Sequence, residues 1–211
     1  MAELSRFTFS IKEIDVKILL HEIRSCTLCK KHLPLGPRPV LSAHPKSKIV
    51  IIGQAPGSKV HNSGIPWKDA SGNELRRWLG VTENQFYDER NFALMPMGFC
   101  YPGKGASGDM PPRPECAPQW HNKILSNLKE AKLILLIGQY SQIYYLKDTI
   151  SENLTSTVKS YKKYQPHYFP LPHPSPRNRI WQKKNPWFEE NVIPALSRRV
   201  SKIIGIMFEG P

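Results

Sequence analysis

Residues 48–53, Lys48-Ile49-Val50-Ile51-Ile52-Gly53, are a short run of mostly β-branched side chains that stops at glycine. Apolar residues on both faces of the pleat mark a buried parallel strand. Two further runs follow the same pattern, at 92–97 and at 133–138 (LILLIG), and 168–171 gives a weaker fourth. Between them lie helical periodicities at 71–79, 115–131 and 140–147, and 188–204 closes the series. Upstream, Ile11, Ile14, Ile18, Leu19 and Ile23 recur at helical intervals and predict an amphipathic helix within residues 11–30 that ends near Cys26. Strands alternating with helices predict an α/β fold with a parallel sheet. Residues 32–46 hold Pro34, Pro37, Pro39 and Pro45 and read as loop or extended chain.

At 211 residues the chain has the length of one domain with a sizeable core, spanning 1–211 with a disordered tail expected at 205–211. Hydrophobic residues are 40% and charged residues 22%, an ordinary globular balance. The 30 basic residues outnumber 17 acidic ones, for a net charge of +13. That excess points to a polyanionic partner: DNA, RNA or an anionic membrane face. No apolar run approaches the roughly 18 residues of a membrane span, and the first 15 residues carry acids where a secretory signal would be apolar. The expected location is the cytoplasm. Four cysteines in a reducing compartment are more often metal ligands than disulfides.

The twenty prolines gather in loops that follow the strands, where open α/β sheets bind ligands. Gly53-Gln54-Ala55-Pro56-Gly57 comes directly after the first strand, and its glycines let backbone N–H groups approach a ligand. His173-Pro174-Ser175-Pro176-Arg177-Asn178 comes after the fourth. Its two prolines stiffen a basic loop of the kind that enters a nucleic-acid groove. Taken alone, the first is a tight turn and the second a proline-rich turn with a solvated arginine.

Together, in this order and separation, the two loops resemble the two motifs of the uracil-DNA glycosylase superfamily. Cys26-x-x-Cys29 and the pair Cys100 and Cys116 resemble its iron–sulfur branch, the bacterial and archaeal fourth and fifth families. The resemblance runs from about Cys26 to about Leu196. It implies a three-layer sandwich around a central parallel four-stranded sheet, and a [4Fe–4S] cluster on Cys26, Cys29, Cys100 and Cys116. From the residues alone, zinc or ordinary core thiols remain alternatives, although the second cysteine pair is too spread for a zinc knuckle.

The sequence also departs from the superfamily pattern. The motif position that holds an aspartate or asparagine in its best-known members is Ala55, and the one that is often glutamate in the iron–sulfur branch is Gln54. Gln54 can position a water but cannot act as a base. Pro66-Trp67-Lys68-Asp69 resembles the segment that carries the base-stacking aromatic and, in the fifth family, a catalytic aspartate. Asp69 is thus the leading carboxylate, with a helix cap as its alternative role; His61 and Asp109 stand in reserve. Pro96 occupies the position of an asparagine that reads the uracil edge, and Asn91 lies too far upstream to replace it.

The resemblance implies a monomeric enzyme of base excision repair that flips uracil or a related deaminated base out of DNA and hydrolyses its glycosidic bond. Residues 53–57 would form the base pocket with Trp67 stacked on the ring. His173 would stabilise the departing base, and Asp69 or a Gln54-held water would serve the sugar. Ser175, Arg177, Asn178, Arg179, Lys183 and Lys184 would hold the DNA. The alternatives are a nucleic-acid-binding module without turnover, which Ala55, Gln54 and Pro96 favour, and a small-molecule hydrolase, for which only His173 speaks.

Overall fold

The computed structural model describes residues 15–106 and 108–208. Its centre is a four-stranded parallel sheet built from β1 (Ile49–Ile52), β2 (Phe92–Leu94), β5 (Leu133–Ile137) and β6 (Tyr168–Leu171), in the order β2-β1-β5-β6. A two-stranded antiparallel hairpin, β3 (Lys104–Gly105) with β4 (Gly108–Asp109), stands apart from it. The expected α/β sandwich is the observed one. Successive side chains of each strand face opposite sides, so Ile49, Ile51, Leu133 and Leu135 enter one core while Val50, Ile52 and Leu136 enter the other.

Helix α1 (Val16–Arg24) packs on the second core with α5 (Cys116–Leu125) and α6 (Gln139–Leu146). The first core is covered by α3 (Ala70–Leu79), α4 (Glu83–Tyr87), α7 (Leu154–Lys159) and α9 (Ile193–Ile204). Two shorter helices, α2 (Ser58–Ser63) and α8 (Arg179–Lys184), follow the two proline-bearing loops. No helix among the described residues is long and apolar enough to cross a membrane.

Several boundaries differ from the sequence reading for local reasons. In α1 the buried stripe is Val16, Leu19, Leu20 and Ile23, an i, i+3, i+4, i+7 set, and Ile18 is 64% exposed on the far side. Ile11 and Ile14, read into that helix, lie outside the described residues. Helix α5 stops at Leu125 rather than 131. Ser126 Oγ and Asn127 Nδ2 both donate to the Lys123 carbonyl there, at 3.2 and 2.7 Å, and satisfy an end that would otherwise continue. Strand β2 stops at Leu94, although the Met95 and Met97 amides still donate to Ile51 and Gly53 of the β1 edge. The proline-rich stretch is loop with turns at 34–35 and 45–46, and Ser42 bridges Leu94 on the outer edge of β2. Gly205 closes α9 in the left-handed conformation, and Ile206 packs against the first core; 209–211 lie outside the described residues.

Candidate active site

The loops that leave β1 and β6 meet at the carboxyl ends of the strands, around a cleft of about 470 Å³. Gly53, Gln54, Ala55, Pro56, Gly57, Trp67, Asp69, His173, Ser175, Arg177 and Asn178 all line it. The structure thus brings together residues drawn from three separate stretches of chain. Arg179 instead borders a neighbouring depression of about 390 Å³ that shares Ser175. Lys183 and Lys184 are exposed on the last turn of α8, outside the cleft.

Trp67 is fixed by its backbone. It sits at φ 58°, a left-handed conformation that non-glycine residues seldom adopt, and such strain clusters at ligand sites. Its neighbours enforce the position. A Cβ at Gly53 would lie 2.7 Å from Trp67 Cζ2, so the indole rests directly on the glycine. A Cβ at Gly72 would lie 1.7 Å from the Trp67 carbonyl oxygen, so only glycine fits at that point of the first turn of α3. Tyr87 donates its hydroxyl to the Pro66 carbonyl at 3.1 Å and braces the approach to Trp67. On the cleft side, the Trp67 and His173 rings lie 5.7 Å apart, inclined by 31°.

Asp69 caps α3 and lines the cleft as well. One carboxylate oxygen accepts the Gly72 amide at 2.9 Å as the N-cap of α3, and the residue also lines the cleft. Its charge raises the affinity of His173 for a proton, but burial of the imidazole outweighs that and sets the His173 pKa below the ordinary histidine value. At neutral pH His173 is therefore uncharged, with one N–H to donate. The loop beneath it is stapled: Asn178 Nδ2 donates to the His173 carbonyl at 2.7 Å, and Ser175 accepts the Arg177 amide at 3.3 Å. Gln54 donates its side-chain amide to the Met110 carbonyl at 3.3 Å.

Of the reserves, Asp109 lines the cleft from the β3–β4 hairpin. His61 does not; it is buried near Tyr101 with Nδ1 lacking a partner, and burial lowers its pKa. Asn91 donates to the Gln85 carbonyl at 3.2 Å and serves the turn before β2. The sequence reading does not include the hairpin itself, although the closely spaced glycines at 105 and 108 are its signal.

The four cysteines are free thiols that border one small apolar pocket with Phe99 and Trp120. They reach it from the end of α1, from the end of the 95–100 segment and from the first residue of α5. Burial pushes the Cys100 thiol up to about 11 and Cys116 to about 12, and raises Cys29. The Phe99 amide donates to Cys116 Sγ at 3.4 Å. Among the described residues no set of three or more His, Cys, Asp or Glu side chains is grouped to hold a single metal ion.

A family model, the uracil DNA glycosylase superfamily, matches residues 41–197. The chain belongs to that superfamily. The matched residues contain the central sheet and the cleft lining from Gly53 to Asn178, so in this superfamily member the fold and the site go together. They contain Cys100 and Cys116 but begin after Cys26 and Cys29, so the match addresses the cleft and not the thiol pocket. Membership in the uracil DNA glycosylase superfamily implies a hydrolase of the bond between base and sugar.

Proposed function

We propose that the protein is a DNA glycosylase that removes uracil or a related deaminated base. The observation that carries this is the convergence of Trp67, His173 and Asp69 on one cleft floored by residues 53–57. A base within a duplex is out of reach, so the nucleotide is flipped into the cleft at a cost of a few kcal/mol. Stacking on Trp67 returns ~1–3 kcal/mol. As the glycosidic bond breaks, its electron pair goes to the base and the sugar becomes oxocarbenium-like. Neutral His173 donates its N–H to the base oxygen that gains charge. The Asp69 oxygen not committed to Gly72 faces the cationic sugar. Water adds hydroxyl to C1′, and its proton leaves with the base. Gln54 orients that water through the amide oxygen left over from its bond to Met110. Arg177 and Ser175 at the cleft, Arg179 beside it, and Lys183 and Lys184 beyond it hold the phosphates, and the +13 charge makes that hold salt-dependent.

The thiol pocket fits a [4Fe–4S] cluster better than zinc. Its donors are all sulfur, a backbone N–H already points at one of them, and Cys100 and Cys116 are too far apart in sequence for a zinc knuckle. Bound there, the cluster would clip α1 and α5 to the end of the 95–100 segment and take no part in hydrolysis. Protein purified without oxygen should be brown, with about four irons per chain, and Cys100→Ser should bleach it and lower its melting temperature. Colourless, iron-free protein of full stability overturns this assignment.

A second reading, a DNA-binding protein without turnover, is favoured by Ala55 and by the ties of Gln54 and Asp69 to Met110 and Gly72. Single-turnover assays for abasic sites on oligonucleotides bearing uracil, hypoxanthine or xanthine separate the two. Excision of one of these, reduced about 100–1,000-fold in His173→Ala with DNA binding retained, supports the glycosylase. Tight binding with no abasic product on any of the three supports the second reading.

A further inference from the structure

His121, on α5, is fully buried and lies outside the cleft, yet it is tied to the cleft wall. Its Nε2 is 3.1 Å from the carbonyl of Pro96, a cleft residue, and its Nδ1 is 2.6 Å from the hydroxyl of Tyr145 on α6. A carbonyl only accepts, so Nε2 must carry the proton. In the neutral ring Nδ1 then accepts from Tyr145, which fixes the tautomer. Phe99 stacks on the imidazole at 5.6 Å and 19°, and Tyr145 at 6.0 Å and 22°.

The peptide group that joins Pro96 to Met97 is thereby held from both ends. Its carbonyl takes the His121 proton, and its N–H donates to Gly53 at 2.8 Å. The next amide, Gly98, donates to the Gln54 carbonyl at 3.0 Å. Hydrogen bonds therefore run without a break from half-buried Tyr145 on α6 to Gly53, the glycine on which Trp67 rests. Each polarises the next in a low-dielectric setting.

We propose that His121 is a positioning residue for base recognition: it turns the Pro96 carbonyl into the interior and anchors the 53–54 backbone through the 96–97 peptide. The cleft wall at residue 96 is then a bare pyrrolidine ring, with no polar group to read the base edge. Recognition of that edge falls to the anchored backbone of residues 53–57 and to Gln54. The kinetic part of this inference rests on the glycosylase reading; the anchor itself does not.

The test compares the full-length protein with His121→Phe, which keeps the ring and loses the donor, and with His121→Gln, which restores an N–H donor. In His121→Phe the single-turnover excision rate per folded molecule should fall about tenfold or more, with DNA affinity within about twofold. Hydrogen exchange at the Met97 and Gly98 amides should quicken, and His121→Gln should recover part of both effects. Nitrogen NMR of the wild type should place the His121 proton on Nε2. A proton on Nδ1 overturns the proposal, as do wild-type exchange and wild-type rate in His121→Phe. Should His121→Phe fail to fold, Tyr145→Phe decides. It removes the donor to Nδ1 and should loosen the Met97 amide while the Pro96 carbonyl keeps the proton on Nε2, and unchanged exchange overturns the anchor. If the wild type excises no base, the glycosylase reading falls, while the tautomer and the amide exchange still decide the anchor.

Discussion

Replacing Gly53 by alanine puts a Cβ 2.7 Å from Cζ2 and 3.3 Å from Cη2 of Trp67. Carbon atoms in contact rest about 3.5–4.0 Å apart, so either the indole or the loop must give by about 1 Å. The loop is tethered by Met97 and Gly98, and the Trp67 backbone is wedged against Gly72. The indole therefore moves into the cleft, toward His173. Overpacking of this kind costs about 1–3 kcal/mol. For a domain of this length that lowers the melting temperature by roughly 2–12 °C. Excision should suffer more, by about 100-fold, since a misplacement near 1 Å is enough for that loss. The assay is thermal unfolding beside single-turnover excision for Gly53→Ala, Trp67→Phe and the double variant. Phenylalanine lacks the outer part of the indole, so Gly53→Ala should cost about 1 kcal/mol less in that background. Equal costs in the two backgrounds, or a wild-type melting temperature for Gly53→Ala alone, would refute the reasoning.

Asp69→Ala should lose about 1 kcal/mol of stability with the α3 cap, whereas asparagine caps as well and should leave the melting temperature unchanged. Both should slow excision, and a wild-type rate in Asp69→Asn would remove the carboxylate from the chemistry. Burial holds His121 down to about 4 and also lowers His173, while an unfolded histidine takes its proton near 6.5. The unfolded chain then binds more protons between those values, so stability is full above about pH 6.5 and declines toward pH 4. Melting temperatures from pH 7 to 5 should fall less steeply in His121→Phe, and parallel profiles would contradict that. Changing Lys183 and Lys184 together to glutamine should flatten the salt dependence of DNA affinity by up to about two in log–log slope, with the saturated excision rate intact. An unchanged slope would place them off the DNA.

The sheet was legible in the sequence because buried parallel strands need apolar side chains on both faces, and 48–53 and 133–138 have little else. The loops after β1 and β6 were legible for a related reason: the glycines and prolines that shape them are rare inside strands and helices. Ile18 misled because periodicity counts apolar residues without knowing which stripe meets the sheet. The end of α5 was hidden in Ser126 and Asn127, whose side chains compete for a backbone carbonyl only once the helix exists. The His121 anchor had no local signature. Its partners are Pro96 and Tyr145, each more than twenty residues away, and only the folded chain defines them. Asp69 was legible as cap or as catalyst, and the structure shows why the two readings were hard to separate: one side chain caps α3 and faces the cleft.

Trp67 owes the aim of its ring to a left-handed backbone, with Gly72 pressed beneath its carbonyl. For anyone redesigning the cleft, this divides the neighbouring positions into two kinds. At residue 67 the aromatic group itself is open to exchange, because phenylalanine or tyrosine would inherit the same backbone direction and present a smaller or more polar face. At residue 72 there is no such freedom, since even a methyl group would force the 67–72 turn apart and swing the platform away. A library that varies 67 together with 54 and 96 while holding 53 and 72 as glycine would sample new cleft chemistry on an intact scaffold. One that varies the glycines would mostly sample a displaced indole at 53 or a strained turn at 72.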